Sequence, residues 1–236
     1  MSYSFDATTQ VATLSLNDGK MNAFGFEMIA VVNAGLDAAE ADLAPHVGAL
    51  LITSVGAKAF SAGFDLSVMG SKEMDDASVT ARSELLQQGI DLCLRLFAFR
   101  RPLIIAASGH ALALGGILLF TADLRIGADT PQNKIGLPEI NLGMQLPMFG
   151  CKLAEARLNS PAALNSAVLL GQSYNPAEAV KAGFLDVVVP AEELGSYAAR
   201  EAARLSEFCK GGFGPTKLHL RQGTIDFIRA SGPAKL

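Results

Sequence analysis

One carboxylate stands out because of its neighbours. Glu139 lies in the segment Leu137-Pro138-Glu139-Ile140, where apolar residues flank it on both sides. Burial among such residues raises the pKa of a carboxyl group and makes it a usable base near neutral pH. A surface glutamate that caps a helix is the alternative interpretation. Because no other base candidate has an apolar setting, we favour a catalytic role for Glu139.

A second segment, residues 103–123, has the features of an anion-binding site. Its first eighteen residues carry no formal charge and are long enough to raise the question of a membrane span. Ser108-Gly109-His110 and Gly115-Gly116 interrupt that run, so two shorter elements fit better. We expect a strand at 103–105, a turn at Ser108-Gly109-His110 and a helix at 115–122. The first turn of this helix would offer free N–H groups to an oxyanion.

The remaining motifs give weaker signals. Residues 59–63 resemble a nucleophile elbow around Ser61, but alanine replaces the first glycine and no partner histidine is evident. We interpret them as a turn whose backbone N–H groups matter more than the hydroxyl. His46, His110 and His219 are scattered, and His110 fits a turn or packing role. Neither metal-ligand spacing nor a phosphate-binding glycine motif occurs, so the sequence predicts no metal site and no nucleotide loop.

The composition argues against several classes of protein. Half of the 236 residues are apolar, which is enough for one well-packed domain. Nineteen basic and 23 acidic residues give a net charge of −4, and no basic cluster suits nucleic acid or an anionic membrane. Cys93, Cys151 and Cys209 are dispersed and predict reduced thiols rather than disulfides. Since the N-terminus lacks a signal-peptide pattern, we expect a cytoplasmic protein.

Strand-like and helix-like patterns alternate along the chain. Predicted strands lie at 11–16, 48–54, 103–105, 124–127 and 184–189, and predicted helices at 26–41, 74–99, 115–122, around 153–158, and from 191 onwards with a break at 211–215. The continuous apolar run at 48–54 is typical of a strand buried on both faces, as in parallel sheets covered by helices. The alternation predicts an α/β fold but does not fix the strand order.

Three blocks together resemble a known family. AKAFSAGFDL, RPLIIAASGHALALGGILLFTADLRIG and IGLPEINLGMQLP look like the crotonase superfamily, also called the enoyl-CoA hydratase/isomerase family, in order and spacing. The resemblance implies a spiral of ββα turns over residues 1–190 and a helical C-terminal region, 191–236, with oligomer contacts. It also implies an acyl-CoA substrate, no separate cofactor, and homotrimers or homohexamers.

The resemblance assigns roles to particular residues. Two backbone N–H groups would hold the thioester oxygen as it becomes an enolate, and they map to Phe64 and Leu114. The family usually has a glycine run where this chain has Ala113-Leu114-Gly115, so Ala113 and Gly115 are alternatives for the second donor. Further positions match the family's substrate-contact segments: Met21, Ala23, Ser61, Ala62, Gly63, Asp65, Leu66 and Gly115.

Other positions have weaker assignments. Asp123 falls where the family has its aspartate, and Asp65 would cap or ion-pair near its turn. Met144, Leu146, Met148 and Phe149 would line an acyl pocket or the plain core, while Lys210 and Lys217 could meet phosphates by charge alone.

The two family carboxylate positions predict the reaction. Hydratases of the family generally use both, whereas here the first is Ile117 and only the second, Glu139, remains. We therefore expect a Δ3,Δ2-enoyl-CoA isomerase in which Glu139 shuttles the proton. The alternatives are an enoyl-CoA hydratase that uses Glu139 alone, a non-catalytic acyl-CoA binding protein and, least favoured, a serine-type hydrolase at Ser61.

Overall fold

The computed structural model describes residues 2–41, 47–54, 56, 58–70, 75–208 and 211–232. The strands in these ranges are β1 Ser2–Asp6, β2 Val11–Leu16, β3 Ala49–Ser54, β4 Ala59–Ser61, β5 Leu103–Ala107, β6 His110–Leu112, β7 Leu124–Asp129, β8 Ile135–Gly136, β9 Ser173–Tyr174 and β10 Val187–Pro190. The helices are α1 Phe26–Ala41, α2 Leu66–Met69, α3 Asp76–Phe97, α4 Leu114–Leu119, α5 Met148–Arg157, α6 Pro161–Val168, α7 Pro176–Ala182, α8 Leu194–Ser206 and α9 Phe213–Ser231, with short 3₁₀ turns at Glu139–Leu142 and Ala191–Glu193.

From β3 to β8, successive strands alternate between two sheets. The larger sheet has the order β1-β2-β3-β5-β7-β10, and all its pairs are parallel except β1 with β2. The smaller sheet has the order β4-β6-β8-β9, with β4, β6 and β8 parallel. The pairs β3–β4, β5–β6 and β7–β8 each place one strand in either sheet before a helical segment follows. This repeated ββα turn confirms the spiral that the resemblance implies.

The central strands of the larger sheet are buried on both faces. Every residue of β5 is buried, and only Thr53 of β3 is partly exposed. One face packs into the main core with α1, α3 and α4, and the other packs under α8 through Ala198 and Ala202. The prediction of a parallel, helix-covered strand at 48–54 is therefore confirmed.

The sequence patterns located most of the larger elements. The strands predicted at 11–16, 48–54, 103–105 and 124–127 and the helices at 26–41 and 74–99 are confirmed within one to three residues over the described ranges. The predicted turn at Ser108-Gly109-His110 is wrong in part, because His110 begins β6 and pairs with Ala59. Residues 184–186 precede β10 rather than belong to it. Met74, Asp42, Pro45, His46, Cys209 and Lys210, which the predictions also touched, lie outside the described residues.

The long apolar run at 103–120 is broken into shorter elements, as predicted, but they number three rather than two: β5, β6 and α4. The helix predicted at 115–122 begins at Leu114 and ends at Leu119. Over the described ranges, no helix is both long enough and apolar enough to cross a bilayer. Cys93 is buried and Cys151 is half-buried, and both are free thiols.

A buried ion cluster ties the C-terminal helix to the core. Asp123 lies 2.5 Å from Lys217 Nζ and 2.8 Å from Arg221 Nη2, and its Oδ2 also accepts the Leu103 N–H. Lys217 and Arg221 are buried and donate further to backbone carbonyls, among them Arg101 O and Phe97 O. The suggestion that Lys217 meets a substrate phosphate is therefore wrong, because this ammonium group is engaged inside the protein.

Replacing Asp123 tests how much this cluster contributes. Asp123→Asn leaves two buried cations without their counter-charge, so we expect the free energy of unfolding to fall by about 3 kcal/mol. Urea denaturation measures the change. Glu155→Gln is the matched control, because the Glu155 side chain is 57% exposed in its pair with Lys152 and should change stability by less than about 0.5 kcal/mol. Equal effects of the two substitutions would contradict a stabilising role for the cluster.

Candidate active site

The strand ends of the smaller sheet bring the predicted site residues to one edge. β4, β6 and β8 lie side by side and parallel, with β6 in the middle. Phe64 follows the end of β4, Leu114 follows β6 and Glu139 follows β8, each within three residues. Because the carboxyl ends of neighbouring parallel strands face the same edge of a sheet, segments far apart in sequence meet in one region.

The turn after β4 leaves a single free amide. Ala62 N–H donates to Met21 O, Gly63 N–H to the Ser61 hydroxyl at 3.1 Å, and Asp65 N–H to Phe24 O. Phe64 N–H, between them, donates to no acceptor in the described part of the chain. The turn therefore presents one backbone donor, Phe64 N–H, which is the group that the family resemblance assigns as the first oxyanion donor.

The end of β6 presents a second free amide. Ala113 N–H donates to Gly136 O at 3.1 Å, so Ala113 is removed from the alternatives for the second donor. Leu114 begins α4, and its N–H has no acceptor among the described residues. The Gly115 N–H has none there either, so Gly115 stays an alternative to Leu114. Ala113 adopts φ 53° and ψ −124°, a conformation that suits glycine and costs other residues about 1–3 kcal/mol. This strained residue turns the chain from the strand into the helix.

Two glycines let β4 and the turn after it pack closely against the start of α4. A Cβ on Gly63 would lie 3.4 Å from Leu114 N and 2.8 Å from Ala113 Cβ. A Cβ on Gly115 would lie 2.3 Å from Ser61 O, so α4 packs directly on the backbone of β4. Gly115 thus has a packing role beside any contact with a ligand.

The segment at residues 21–24 is fixed to β4 by a residue that the sequence analysis did not single out. Asn22 is buried with φ 52°, and its amide donates to Ala59 O and Phe60 O. Phe24 N–H donates to Gly63 O at 2.8 Å. Met21 and Ala23 are therefore held beside residues 61–64, which brings the two predicted substrate-contact segments together. A buried asparagine in a left-handed conformation leaves no clear mark in one sequence.

The other predicted contact residues differ in their surroundings. Asp65 caps α2 by accepting the Ser67 N–H at 2.8 Å, which confirms its predicted capping role. Leu66 is 63% exposed. Ser61 is fully buried and its hydroxyl donates to Asn22 O at 2.8 Å, with no histidine bound to it among the described residues. His110 Nδ1 accepts the Lys134 N–H, which fits the turn or packing role predicted for this histidine.

Glu139 begins a 3₁₀ turn and is buried, with 8% of its surface exposed. It is the only buried carboxyl group in the described part of the chain. Its Oε2 is enclosed and has no hydrogen-bond partner there. Burial raises the pKa of Glu139 to about 7, well above the 4.5 of an exposed glutamate. The interpretation as a surface capping residue is therefore wrong, and the group can change its protonation state near neutral pH.

Apolar side chains pack around α5, the helix that follows the Glu139 turn. Burial raises the pKa of the Cys151 thiol on α5, and the charge of Glu139 adds to this effect. The neighbouring Gly150 makes room for Ile117 and Leu146, because a Cβ there would meet their side chains at 2.9 and 3.1 Å. Of the four predicted acyl-pocket residues, Leu146 and Phe149 are buried and Met148 is 45% exposed.

Replacing Glu139 by glutamine should stabilise the protein at high pH. The folded-state pKa of about 7 lies above the ordinary value of 4.5, so wild-type stability is full below about pH 4.5 and falls as pH rises through 7. The free energy of unfolding falls by about 3 kcal/mol over this range. Glu139→Gln does not show this fall, because glutamine does not ionise. We expect the variant to have a higher Tm than wild type at pH 8 and a similar Tm at pH 5. A difference that is the same at both pH values would contradict the raised pKa.

Adding a methyl group at Gly115 should separate α4 from β4. The new Cβ would lie 2.3 Å from Ser61 O, a backbone atom of β4 that can move away only if the strand shifts. Gly115→Ala should therefore lower the free energy of unfolding by about 1–3 kcal/mol. Gly223→Ala is the matched control, because a Cβ at this helical glycine meets nothing within 4 Å. The control should be neutral or slightly stabilising in urea denaturation. An equally neutral Gly115→Ala would show that the close approach does not matter.

Comparison with known proteins points to one family. The sequence pattern of the enoyl-CoA hydratase/isomerase family matches residues 6–222. A probable enoyl-CoA hydratase of Mycobacterium leprae is 35% identical over 207 residues, 87% of this chain and 75% of the relative. The human mitochondrial enoyl-CoA delta isomerase 1 is 31% identical over 199 residues, 84% of this chain and 63% of the relative.

Solved structures give the same result. An enoyl-CoA hydratase/isomerase family protein from Pseudomonas syringae is 38% identical with a TM-score of 0.88, covering 97% of this chain and 93% of the other. Human mitochondrial Δ3,Δ2-enoyl-CoA isomerase is 28% identical with a TM-score of 0.89, covering 99% and 87%. With its family pattern, its relatives and its spiral fold in agreement, the chain belongs to the enoyl-CoA hydratase/isomerase family of the crotonase superfamily.

Proposed function

We propose that the protein is a Δ3,Δ2-enoyl-CoA isomerase with Glu139 as the proton shuttle. The observation that carries this proposal is the state of Glu139: a buried carboxyl with a pKa of about 7, one oxygen of which has no hydrogen-bond partner among the described residues. Ile117, which is buried, occupies the position of the family's other carboxylate. Coenzyme A belongs to the substrate, so no separate cofactor is required.

The two free amides and the carboxylate have complementary roles in this reaction. Phe64 and Leu114 N–H groups donate to the thioester oxygen of a 3-enoyl-CoA. Ionised Glu139 takes a proton from the α-carbon, and the electron pair delocalises into a dienolate whose negative oxygen the two donors stabilise. Glu139 then returns the proton to the γ-carbon. The double bond has moved into conjugation with the carbonyl, and the carboxylate is regenerated.

Hydration by Glu139 alone is the principal alternative. Relatives named as hydratases and relatives named as isomerases both occur among the similar proteins, so the family does not decide between them. The apolar side chain of Ile117 supports isomerisation, because it offers no hydrogen bond to hold an attacking water. A non-catalytic acyl-CoA binding protein is a further candidate, while the engaged, buried hydroxyl of Ser61 disfavours a serine hydrolase.

The proposal includes the setting in which the enzyme acts. We expect a homotrimer or homohexamer in the cytoplasm that binds acyl-CoA thioesters, with residues 191–236 contributing oligomer contacts. Neither nucleic acid nor a membrane is a proposed partner.

Parallel assays of 3-hexenoyl-CoA and crotonyl-CoA test the reaction. Wild type should produce the conjugated 2-enoyl thioester from 3-hexenoyl-CoA, seen as a gain in ultraviolet absorbance. Glu139→Gln should lower the rate of this isomerisation about 10²–10⁴-fold. The wild-type rate should rise with pH through about 7, because Glu139 must be ionised to accept the proton. Glu155→Gln on α5 is the control and should keep wild-type kinetics.

Other outcomes would favour the alternatives. Rapid loss of crotonyl-CoA conjugation without isomerisation of 3-hexenoyl-CoA would establish a hydratase. Release of free coenzyme A that Ser61→Ala abolishes would establish a hydrolase. Acyl-CoA binding without any turnover would favour the non-catalytic protein.

A further inference from the structure

A glycine in the middle of α3 has no explanation in the helix itself. α3 spans Asp76–Phe97, and Gly89 lies well inside it and is buried. Glycine weakens a helix interior relative to alanine, so an isolated helical glycine calls for a packing reason. α3 is otherwise well built: Asp75 caps its first turn by accepting the Ser78 N–H, and Leu85 and Leu86 are fully buried.

The packing reason is the ring of Phe64. A Cβ on Gly89 would lie 2.4 Å from Phe64 Cζ and 2.5 Å from Phe64 Cε1. These distances are far below contact distance, so the edge of the ring lies against the α3 backbone where a side chain would otherwise be. Phe64 is half-buried and packs against the main core.

The same residue carries the free N–H group. The backbone on either side of Phe64 is held by hydrogen bonds, since Phe24 N–H donates to Gly63 O and Asp65 N–H donates to Phe24 O at 3.1 Å. The first bond holds the peptide group that bears the Phe64 N–H, and the contact of the ring with Gly89 is a second restraint on the same residue. A ring displaced from this position moves by side-chain rotation, by a shift of the Phe64 backbone, or by both.

We propose that Gly89 is a positioning residue that orients the oxyanion donor through the ring of Phe64. The inference rests on the proposed role of Phe64 N–H but not on which enoyl-CoA reaction follows, since isomerisation and hydration both place charge on the thioester oxygen. Gly89 does not touch the substrate. It provides the space in which the Phe64 ring sets the direction of the N–H bond.

A double-mutant cycle separates positioning from plain packing. Gly89→Ala should lower kcat about 10- to 100-fold with little change in KM, because a donor displaced by about 1 Å loses much of its effect in the transition state. Phe64→Leu removes the two ring atoms that would collide while keeping the backbone N–H. In the Phe64→Leu background, Gly89→Ala should change kcat by less than about 2-fold. Gly223→Ala, a helical glycine that faces open space, is the matched control.

A readout without turnover keeps the inference independent of the proposed function. In protein labelled with ¹⁵N-phenylalanine, the amide resonance that Phe64→Leu removes identifies Phe64. Gly89→Ala should shift this resonance and Gly223→Ala should not. If the wild type turns over no enoyl-CoA yet the resonance shifts, the proposed function fails and the positioning by Gly89 stands.

Two results would overturn the inference. An equal loss of kcat from Gly89→Ala in both Phe64 backgrounds would mean that the glycine acts elsewhere. An unmoved Phe64 resonance together with a lowered Tm would mean that the glycine serves only packing.

Discussion

Two backbone N–H groups without an acceptor in the described part of the chain, those of Phe64 and Leu114, are the constraint on which the site depends. An amide without an acceptor inside a folded chain costs about 1–3 kcal/mol, so neighbouring structure must prevent each from finding one. Three amides beside them are satisfied: Ala62, Gly63 and Ala113 each donate to a nearby oxygen. The two donors stay open because the parallel strands β4 and β6 end side by side.

Several other features near these donors also work against stability. Ala113 adopts a conformation suited to glycine, and Glu139 is a buried carboxyl. Gly89 lies inside a long helix, where glycine is unfavourable. Local rules of this kind are usually broken where function requires it. The larger sheet with its helices on both faces, and the ion cluster around Asp123, can supply the compensating stability.

The sequence predicted the larger elements because their signals are local. Residues 49–52 are all apolar, and α1 repeats apolar residues at helical spacing, so each pattern is complete within a short stretch of sequence. The short strands β4, β6 and β8 could not be found in this way, since two or three residues give no period. The pairing of β4 with β6 depends on contacts between residues about fifty positions apart. Glu139 and Phe64 were located through apolar context and family resemblance, whereas Asn22 and Gly89 depend on partners that only the fold reveals.

The character of Glu139 bears on which reaction the site suits. A shuttle must accept a proton from one carbon and release it to another, and a carboxyl with a pKa of about 7 exists in both forms at neutral pH. Water addition makes a different demand, because the attacking water must be oriented as well as deprotonated. Ile117, buried against Gly150, offers no hydrogen bond for that purpose. In the proposed mechanism, the residue at position 117 would therefore favour one reaction over the other, while the two backbone donors to the thioester oxygen would serve either reaction.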